Sequence, residues 1–482
     1  MTPETSSAIY HRLSRYEPGR EWNVPVDDPR VVQGFRSNDW GRFPWSTKRY
    51  AADLMVVPLP RAVSSSRVPA LEVLAGRPMR RPPGRRVGMV GLVDLAELLF
   101  LAAGVVRTAE VQGHPFLFRA AGSAGARFPL ELYVSARTVE GLDDGVYWYD
   151  PVTHALVLVG PTARGEITSV VVTGVPWRTA WRYAERGFRH LYWDAGTMLS
   201  QLLAVASAAG LAPALWTTFP DAQVSRLVGA DGVQEFPLAV VGLGDGDPAV
   251  GPTGDAAAGG VDAAPMEFPL VSTTQRAGVS SVLGSPWPTG AGVNLDLPES
   301  RSLPEVIVQR GSSRLMDASA CLPLGEVQLA MALATRGVDD PQFLTVHSVD
   351  GLEPGVYRWP DLLTPIRIGD LREEAARICL DQGLGADAAY VVFSCADVSA
   401  LDDPGYRRAT LAAGLVEGRL HLAAYALGAG ASGMTFLDTE VAKFLGAPVD
   451  ALLLTCVGVP RYRNRRGGGP GEPVPFRQVR PR

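Results

Sequence analysis

"LLAVASAAGLAPALWTTFPDAQVSRLVGA", at residues 202–230, has a diverged second copy in the same chain, "LHLAAYALGAGASGMTFLDTEVAKFLGA" at 420–447. Each copy predicts a long apolar helix, a turn of small residues, a short strand that ends near a phenylalanine, and an amphipathic helix. A unit of this length that occurs twice indicates an internal duplication. The chain is therefore predicted to contain two related domains.

Two further pairs of segments match in the same order. "GLDDGVYWYDPVTHALVLVG" at 141–160 resembles "GLEPGVYRWPDLLTPIRIGD" at 351–370, and both predict a hairpin-like pair of strands that carry aromatic residues. "FPLAVVGLG" at 236–244 resembles "DALLLTCVGVP" at 450–460, and each predicts a buried strand that closes its copy. Chance does not explain three ordered matches, so we predict a fused pair of α+β domains.

The boundary between the domains is also predicted by composition. "GDGDPAVGPTGDAAAGGVDAAP", which begins at Gly244, is rich in Gly, Ala, Asp and Pro and has no apolar period, which is typical of a flexible linker. We predict an N-terminal domain over 1–243, a linker over 244–267, a C-terminal domain over 268–466 and a flexible tail over 467–482.

Composition excludes several classes of protein. A chain of 482 residues exceeds what one hydrophobic core normally serves, and a net charge of −5 argues against nucleic acid as the main partner. The four cysteines form no C-x-x-C pair, which predicts reduced, buried thiols in a cytoplasmic protein and no metal site. The most apolar stretch, 197–215, contains Ser200, Gln201 and Ser207, so we predict a buried helix and no membrane partner.

"QRGSSR" at 309–314 is a candidate anion site, because two arginines can neutralise a dianion and serine adds a short donor. The first copy has "GRPMRR" at 76–81 instead, without serine. The second copy has lost a different segment, because it lacks a counterpart of "RAAGSAGARFPLELYV" at 119–134. Each half is thus predicted to retain a different part of one site.

Each of these segments also has an ordinary structural interpretation. Taken alone, "QRGSSR" fits a solvated loop with a serine helix cap, and "GSAG" at 122–125 fits a simple turn. "WRYAERGFR" fits the start of an amphipathic helix, in which Arg186 and Arg189 would be structural. Asp194 and Glu417 are expected to be partners between the long helices.

Four segments together resemble the SagB-type dehydrogenases of the nitroreductase superfamily, in a tandem-domain form. "RGSSR" resembles the R-x-S-x-R phosphate element of that family, and "GSAGARFPLELY" at 122–133 resembles its P-S-x-G-x-x-x-P-x-x-x-Y flavin loop, with Gly122 in place of proline. The resemblance implies a pseudo-dimer of two nitroreductase-like domains, each with a central, mostly antiparallel sheet flanked by helices.

The other two segments carry the residues near the flavin ring. "WRYAERGFRHLYWDAG" at 181–196 resembles the family's K-Y-x-x-R-x-Y-R segment, with Arg182 in place of lysine and Phe188 in place of the second tyrosine. "GAGASGMTFLDTEV" at 428–441 resembles the turn beside the ring.

The resemblance implies FMN as the cofactor, held where two subunits of the family meet. Here one composite site is expected between the domains, and the other, with "GRPMRR" and the bulky Trp216 at its turn, is expected to be lost. The resemblance thus implies a monomeric pseudo-dimer that binds one FMN per chain. The implied cofactor-binding residues are Arg310, Ser312, Arg314, Ser123, Ala124, Gly125, Ala431, Ser432, Gly433, Arg461 and Arg463.

The implied activity is the oxidation of thiazolines or oxazolines in a peptide to thiazoles or oxazoles, as in the biosynthesis of thiopeptides or nonribosomal antibiotics, with dioxygen as electron acceptor. Tyr183 is the expected base, and Arg182 the cation that favours its phenolate. Whether a cyclodehydratase partner is required stays open. Two alternatives also stay open: a flavin reductase for nitroaromatics or quinones fed by NAD(P)H, and a flavin-poor scaffold of a biosynthetic complex.

Overall fold

The computed structural model describes residues 4–22, 27–62, 68–77 and 90–477 of the chain. Each half of the chain builds its own antiparallel sheet with helices packed against it. The predicted class, α+β with two related domains, is confirmed.

In the first half the helices are α1 (Ser6–Ser14), α2 (Ala70–Leu74), α3 (Leu92–Ala103), α4 (Pro176–Tyr183), α5 (Gly187–Ala208) and α6 (Asp221–Val228), and the strands are β1 (Val56–Pro58), β2 (Val105–Val111), β3 (His114–Arg119), β4 (Leu130–Ala136), β5 (Gly145–Asp150), β6 (Ala155–Gly160), β7 (Ser169–Gly174), β8 (Pro213–Trp216) and β9 (Phe236–Leu243).

The second half repeats the main elements of the first. Its helices are α7 (Pro269–Ala277), α8 (Leu303–Gln309), α9 (Leu324–Thr335), α10 (Arg372–Ile378), α11 (Leu384–Asp387), α12 (Asp403–Ala426) and α13 (Asp438–Leu445), and its strands are β10 (Leu322–Pro323), β11 (Gln342–Val346), β12 (Val349–Asp350), β13 (Gly355–Arg358), β14 (Arg367–Ile368), β15 (Tyr390–Ala396), β16 (Gly430–Met434), β17 (Asp450–Gly458) and β18 (Val474–Pro475).

The two main sheets have matching topologies. The order is β1-β6-β5-β4-β7-β9-β8 in the first sheet and β14-β13-β11-β15-β17-β16 in the second, and all neighbours are antiparallel. The repeated segments occupy equivalent positions, since β8 and β16 are the edge strands that follow the long helices α5 and α12. The hairpin β2–β3 belongs to the segment that the second half lacks.

The long helices α5 and α12 pack against each other between the two sheets. Small residues make this close approach possible: a side chain at Gly196 would collide with the carbonyl of Leu411, and one at Gly414 would collide with the carbonyl of Trp193. A side chain at Gly418 would likewise collide with Ser200. Because the helices come from different halves, this contact is the centre of the domain interface.

The predicted linker is a packed segment instead of a flexible one. Within 244–267, Ala249, Val250 and Val261 are buried, and backbone hydrogen bonds join the segment to the first half, such as Gly260 N to Arg49 O at 2.8 Å. Some of its glycines lie where the segment closely approaches other parts of the chain; a Cβ at Gly259, for example, would lie 2.6 Å from Lys48 Cε. Composition alone did not reveal these contacts.

The predicted flexible tail is also fixed over its described part. Strand β18 pairs in parallel with β2 of the first half, and Phe476 N donates to Thr108 O at 2.9 Å. The tail therefore crosses from the second half to the first. The N-terminal helix α1 makes the reverse crossing, since Ser7 N donates to Asp403 Oδ1 at 2.6 Å.

The expectation of a buried helix at 197–215 is confirmed as far as Ala208, where the largely buried helix α5 ends; the stretch then continues into β8. Over the described part of the chain, no helix combines the length and apolar character that crossing a membrane requires. Three of the cysteines are buried thiols, but Cys321 is exposed, which differs from the expectation that all would be buried.

Candidate active site

A cavity of about 630 Å³ lies between the two halves, within the roughly 300–1,000 Å³ that ligand pockets usually enclose. The first half contributes the loop 121–128, the end of α4 and the face of α5, while the second half contributes 310–314, β16 and the stretch 462–465. Among the described residues that line the cavity, Asp194 and Glu417 are the carboxylates, whereas arginines come from both halves. An anionic ligand suits this balance of charge.

Arg310, at the end of α8, lies in the cavity wall and joins the two domains. Its Nε donates to Gln201 Oε1 at 2.7 Å, and its Nη2 donates to Ala120 O at 2.5 Å. Burial lowers the pKa of Arg310 to about 10, so the guanidinium stays charged at neutral pH. Part of its donor capacity is thus used across the interface before any ligand binds.

The side chains of Ser312, Arg314 and Arg463 line the same end of the site. Ser312 and Arg463 are exposed, and Arg314 is half-buried. The Arg314 backbone N donates to Tyr462 Oη at 2.9 Å, which fixes the loop. Within the described part of the chain, the Arg314 guanidinium has no hydrogen-bond partner. These three residues form a group of donors that fits a phosphate.

Two of the predicted cofactor-binding residues do not line the cavity. Ala431 is fully buried in β16, where its carbonyl accepts a hydrogen bond from Ser313 N at 2.9 Å. Arg461 is exposed, and its backbone N donates to Leu315 O at 3.1 Å. Both residues shape the loop 311–314 through the backbone, which sequence similarity could not distinguish from direct contact.

Ser123, Ala124 and Gly125 do line the cavity, and Asp194 on α5 holds them in place. The Ser123 hydroxyl donates to one Asp194 oxygen and accepts from Phe128 N at 2.8 Å, while Ala124 N donates to the other oxygen at 3.0 Å. Burial raises the pKa of Asp194 well above its usual value. Asp194 was expected to pair between helices; it anchors this loop instead.

Gly125 brings the loop against the end of α4. Its φ of 59° lies in the left-handed region, and a Cβ there would lie 2.7 Å from Tyr183 Oη and 2.5 Å from Arg182 Cδ. Only glycine fits both the conformation and the space. The loop and the predicted catalytic pair are thereby brought together from segments that lie almost sixty residues apart in the sequence.

Tyr183 is 8% exposed and lines the cavity, with its ring stacked on His190 at a centroid distance of 3.8 Å. Burial raises the pKa of Tyr183, and the neighbouring Arg182 guanidinium acts in the opposite direction. Arg182 is exposed and donates to Asn38 Oδ1 at 3.3 Å. Tyrosine and cation are therefore adjacent, as the resemblance implied.

Arg186 and Arg189 have the structural role that the alternative interpretation gave them. Both bind the buried carboxylate of Asp438 in the second half, at 2.7 and 2.5 Å. Arg186 also donates to Ser14 O, and Arg189 to His11 O, each at 2.8 Å. The two arginines thus attach α1 and α13 to α5. Glu417 accepts from Thr197 Oγ1 at 3.0 Å, which confirms its expected role between the long helices.

Aromatic side chains line the outer part of the cavity, a feature that no sequence motif indicated. Phe118 and Phe476 meet edge to face with centroids 4.6 Å apart, and Trp40 and Phe116 lie beside them. Phe476 comes from the tail and the others come from the first half. This aromatic wall, defined by Trp40, Phe116, Phe118 and Phe476, offers an apolar surface next to the donor groups.

Over the described part of the chain, residues 284–293 occupy the region that is pseudo-symmetric to the cavity. Gly284 N donates to Thr218 O at 3.0 Å, Trp287 N donates to Leu215 O at 2.6 Å, and Val293 N donates to Ala75 O at 2.9 Å. Trp287 also lies under the guanidinium of Arg408 on α12, 4.4 Å from its ring centroid. The segment therefore covers β8, α12 and the end of α2, the counterparts of the elements that form the open cavity.

The expected obstruction by Trp216 is wrong. Its side chain is buried in the first half's outer core with Phe219 and Val240, away from the second site. Arg77, the counterpart of Arg310, donates to Leu295 O at 2.8 Å. Most of "GRPMRR", including Arg80, lies outside the described residues. In the described ranges no group of three or more His, Cys, Asp or Glu side chains is placed to hold a metal ion.

Comparisons with known proteins agree with this architecture. No protein-family model matches the chain. A protein of Methanocaldococcus jannaschii described as a nitroreductase is 27% identical over 168 residues, covering 32% of this chain and 80% of that protein. The trifolitoxin-processing protein TfxF of Rhizobium leguminosarum is 36% identical over 116 residues, which cover 23% of this chain and 42% of that protein.

A crystal structure from Anabaena variabilis, described as that of a nitroreductase, has the same fold. It superposes with a TM-score of 0.71 at 23% identity and covers 95% of this chain and 100% of that one. The chain thus has a nitroreductase-like α+β fold over both of its halves.

Proposed function

We propose that this chain with a nitroreductase-like fold is an FMN-dependent oxidoreductase that oxidises azoline rings in a peptide. The observation that carries the proposal is the composite cavity, in which the 310–314 loop of one half faces the 122–125 loop and Tyr183 of the other. The equivalent space on the opposite side is filled by 284–293. The chain has therefore kept one site where a pair of equal domains would have two.

The residues in the cavity fit FMN. Arg314, Ser312 and Arg463 offer charged and hydroxyl donors to the phosphate, and Arg310 adds a buried positive charge. Gly125 and Gly433 also line the cavity, where they present backbone instead of a side chain to a flat ring. Bound FMN would supply the two-electron redox chemistry.

The protein's own part of the reaction is to bind the peptide and to move one proton. The aromatic wall can hold apolar groups beside the azoline. Tyr183 Oη accepts the proton from Cα of the ring, and Arg182 stabilises the phenolate that does so. The buried position of Tyr183 keeps water from competing for this proton.

Support for a peptide substrate comes from the relative TfxF, whose name assigns it to the processing of trifolitoxin. We propose that the product is a thiazole or oxazole, that dioxygen takes up the electrons, and that the azoline is made beforehand by a cyclodehydratase. Incubation with a thiazoline peptide under air tests this: a mass loss of about 2 Da, as expected for the removal of two hydrogens, supports the proposal, and no loss rejects it.

A second candidate is a flavin reductase that takes hydride from NAD(P)H. The relative described as a nitroreductase favours it. Anaerobic mixing of the flavin-loaded protein with NADH or NADPH distinguishes the two, because an azoline dehydrogenase needs no nicotinamide. Rapid bleaching of the flavin by NAD(P)H without any reaction of the thiazoline peptide would favour the reductase.

We expect about one FMN per chain in the purified protein, because only one of the two pseudo-symmetric sites is open in the described structure. Heat release of the flavin, followed by its absorbance relative to protein, measures the ratio. A ratio of two would mean that the segment 284–293 leaves its site on binding.

Arg314→Ala is expected to weaken FMN binding by about 1.5–3 kcal/mol, the scale of a hydrogen bond to a charged group, and to leave riboflavin binding unchanged. The reason is that Arg314 lines the cavity, and its guanidinium has no hydrogen-bond partner within the described part of the chain. Fluorescence titration of the apoprotein with each flavin measures both affinities.

The matched control is Arg77→Ala, since Arg77 donates to the Leu295 carbonyl in the filled site. It should leave FMN affinity as it was. Loss of FMN affinity in Arg77→Ala with normal affinity in Arg314→Ala would place the phosphate in the other half of the molecule.

A further inference from the structure

Three buried polar atoms in the cavity wall have no hydrogen-bond partner within the described part of the chain. They are the two ring nitrogens of His190 and Nε1 of Trp193. The two side chains are only 2% and 3% exposed. An unsatisfied buried polar group is costly, so such groups usually have a partner in the functional state. Both residues line the cavity, so we take a ligand bound there as the partner that these atoms lack.

Packing holds both rings in place. His190 and Trp193 lie one turn apart on α5, with centroids 4.6 Å apart and ring planes at 84°. The His190 ring also stacks on Tyr183, with a centroid distance of 3.8 Å. The polar edges are thus positioned by neighbouring rings, next to the residue that we propose as the base.

The protonation of His190 determines what the pair can bind. Burial lowers the pKa of His190 well below its usual value, and Arg186 and Arg189 lower it further. The imidazole is therefore neutral at pH 7 and offers one N–H donor and one acceptor nitrogen, while Trp193 offers one donor. Two neutral donors suit an uncharged acceptor, because a carboxylate or phosphate would lose its hydration without gaining an ionic partner.

We propose that His190 and Trp193 form a donor pair that binds a carbonyl oxygen of the ligand in this cavity. The inference rests on the proposed function, which supplies two sources of such a carbonyl: the flavin ring and the amide groups of the peptide. In either case the pair orients the ligand beside Tyr183. Arg314 and Ser312 act at the phosphate end of the site. Their effect on flavin binding can therefore be separated from that of His190 and Trp193.

Titration of the apoprotein with FMN and with riboflavin tests whether the carbonyl belongs to the flavin ring. His190→Phe and Trp193→Phe keep an aromatic ring and remove the donor, and each should weaken both flavins roughly two- to tenfold, the range for one neutral hydrogen bond. Arg314→Ala, by contrast, should weaken FMN alone. Equal weakening of the two flavins is thus the mark of a contact to the ring.

The second source is tested by equilibrium dialysis of a thiazoline peptide against the FMN-loaded variants. Unchanged flavin affinity with peptide binding weakened by the same factor assigns the carbonyl to the peptide. The matched controls are His347→Phe and Trp177→Phe, because each has a buried, unpartnered ring nitrogen and neither lines the cavity.

The donor pair is rejected if both affinities stay unchanged in the His190 and Trp193 variants, or if the control variants lose as much. The flavin titration needs no turnover. If the protein binds flavin but oxidises no azoline, the proposed function is refuted. The titration of the His190 and Trp193 variants still decides whether the donor pair exists.

Discussion

Replacing Tyr183 with phenylalanine should leave FMN bound and slow azoline oxidation by roughly 10²–10⁴-fold, the usual contribution of one acid–base group. The substitution removes only the phenol oxygen. The ring that stacks on His190 and borders Gly125 remains, so the shape of the cavity should be retained. A loss of rate without a loss of flavin therefore reports on the proton transfer.

The measurement is single-turnover bleaching of bound flavin by a thiazoline peptide without oxygen, which separates this step from reoxidation. The pH profile adds a second test. Burial raises the pKa of Tyr183, so the phenolate fraction and the rate should climb as the pH rises through the alkaline range. Arg182→Ala removes the opposing cation and should move this climb to higher pH, while Arg182→Lys should preserve it.

Normal flavin reduction in Tyr183→Phe would eliminate Tyr183 as the base. Tyr133, the tyrosine that ends the segment 122–133, would not replace it. Tyr133 is fully buried in the outer core of the first half and donates to Glu235 Oε1 at 2.8 Å, away from the cavity. Burial raises the pKa of Tyr133 well above its usual value. A group supplied by the substrate would then be the remaining candidate.

Replacing Lys48 with methionine should destabilise the protein by about 3–5 kcal/mol, the cost of breaking a buried ion pair by removing one partner. Lys48 Nζ lies 2.5 Å from Glu235 Oε2 and 2.8 Å from Tyr133 Oη, and both members of the pair are buried. Burial opposes the charge on Lys48 most strongly, but the combined interactions with Glu235 and Tyr50 outweigh it and raise the pKa of the ammonium group. Without Lys48, the donors that the described part of the chain offers to the Glu235 carboxylate are the hydroxyls of Tyr133 and Thr173.

Urea unfolding of the apoprotein measures this effect. The double variant Lys48→Met/Glu235→Gln should recover a large part of the stability, because no uncompensated charge is left. Arg226→Ala is the exposed control: Arg226 pairs with Asp255 at 2.5 Å with more than half of each side chain exposed, so about 0–1 kcal/mol is expected. Equal losses in Lys48→Met and Arg226→Ala would contradict the importance of burial.

The sequence predicted the fold because the duplication left matching patterns in both halves. Helices α5 and α12, the edge strands β8 and β16, and the closing strands β9 and β17 lie where the repeated segments placed them. Apolar periodicity is a local property of consecutive residues, so it can be read without knowing what packs on what. The placement of the 310–314 and 122–125 loops in one cavity followed from the same duplication together with the family resemblance.

The errors concern segments whose structure depends on distant contacts. Residues 244–267 have the composition of a linker, yet their backbone is bonded to the first half, and the tail forms β18 beside β2. Glycine and alanine permit both a mobile chain and a close-packed one. Local composition therefore could not choose between them.

The sequence by itself determined that this chain has two related α+β domains, and it predicted that each retains a different part of one site. Only the tertiary structure decided the roles of individual residues and segments: Asp194 anchors a loop, Trp216 lies in the core, and 284–293 occupies the second site. The physical reason is that periodic burial is encoded residue by residue along the chain. A side chain's hydrogen-bond partner, and the segment that fills a cavity, depend instead on which distant surfaces folding brings together.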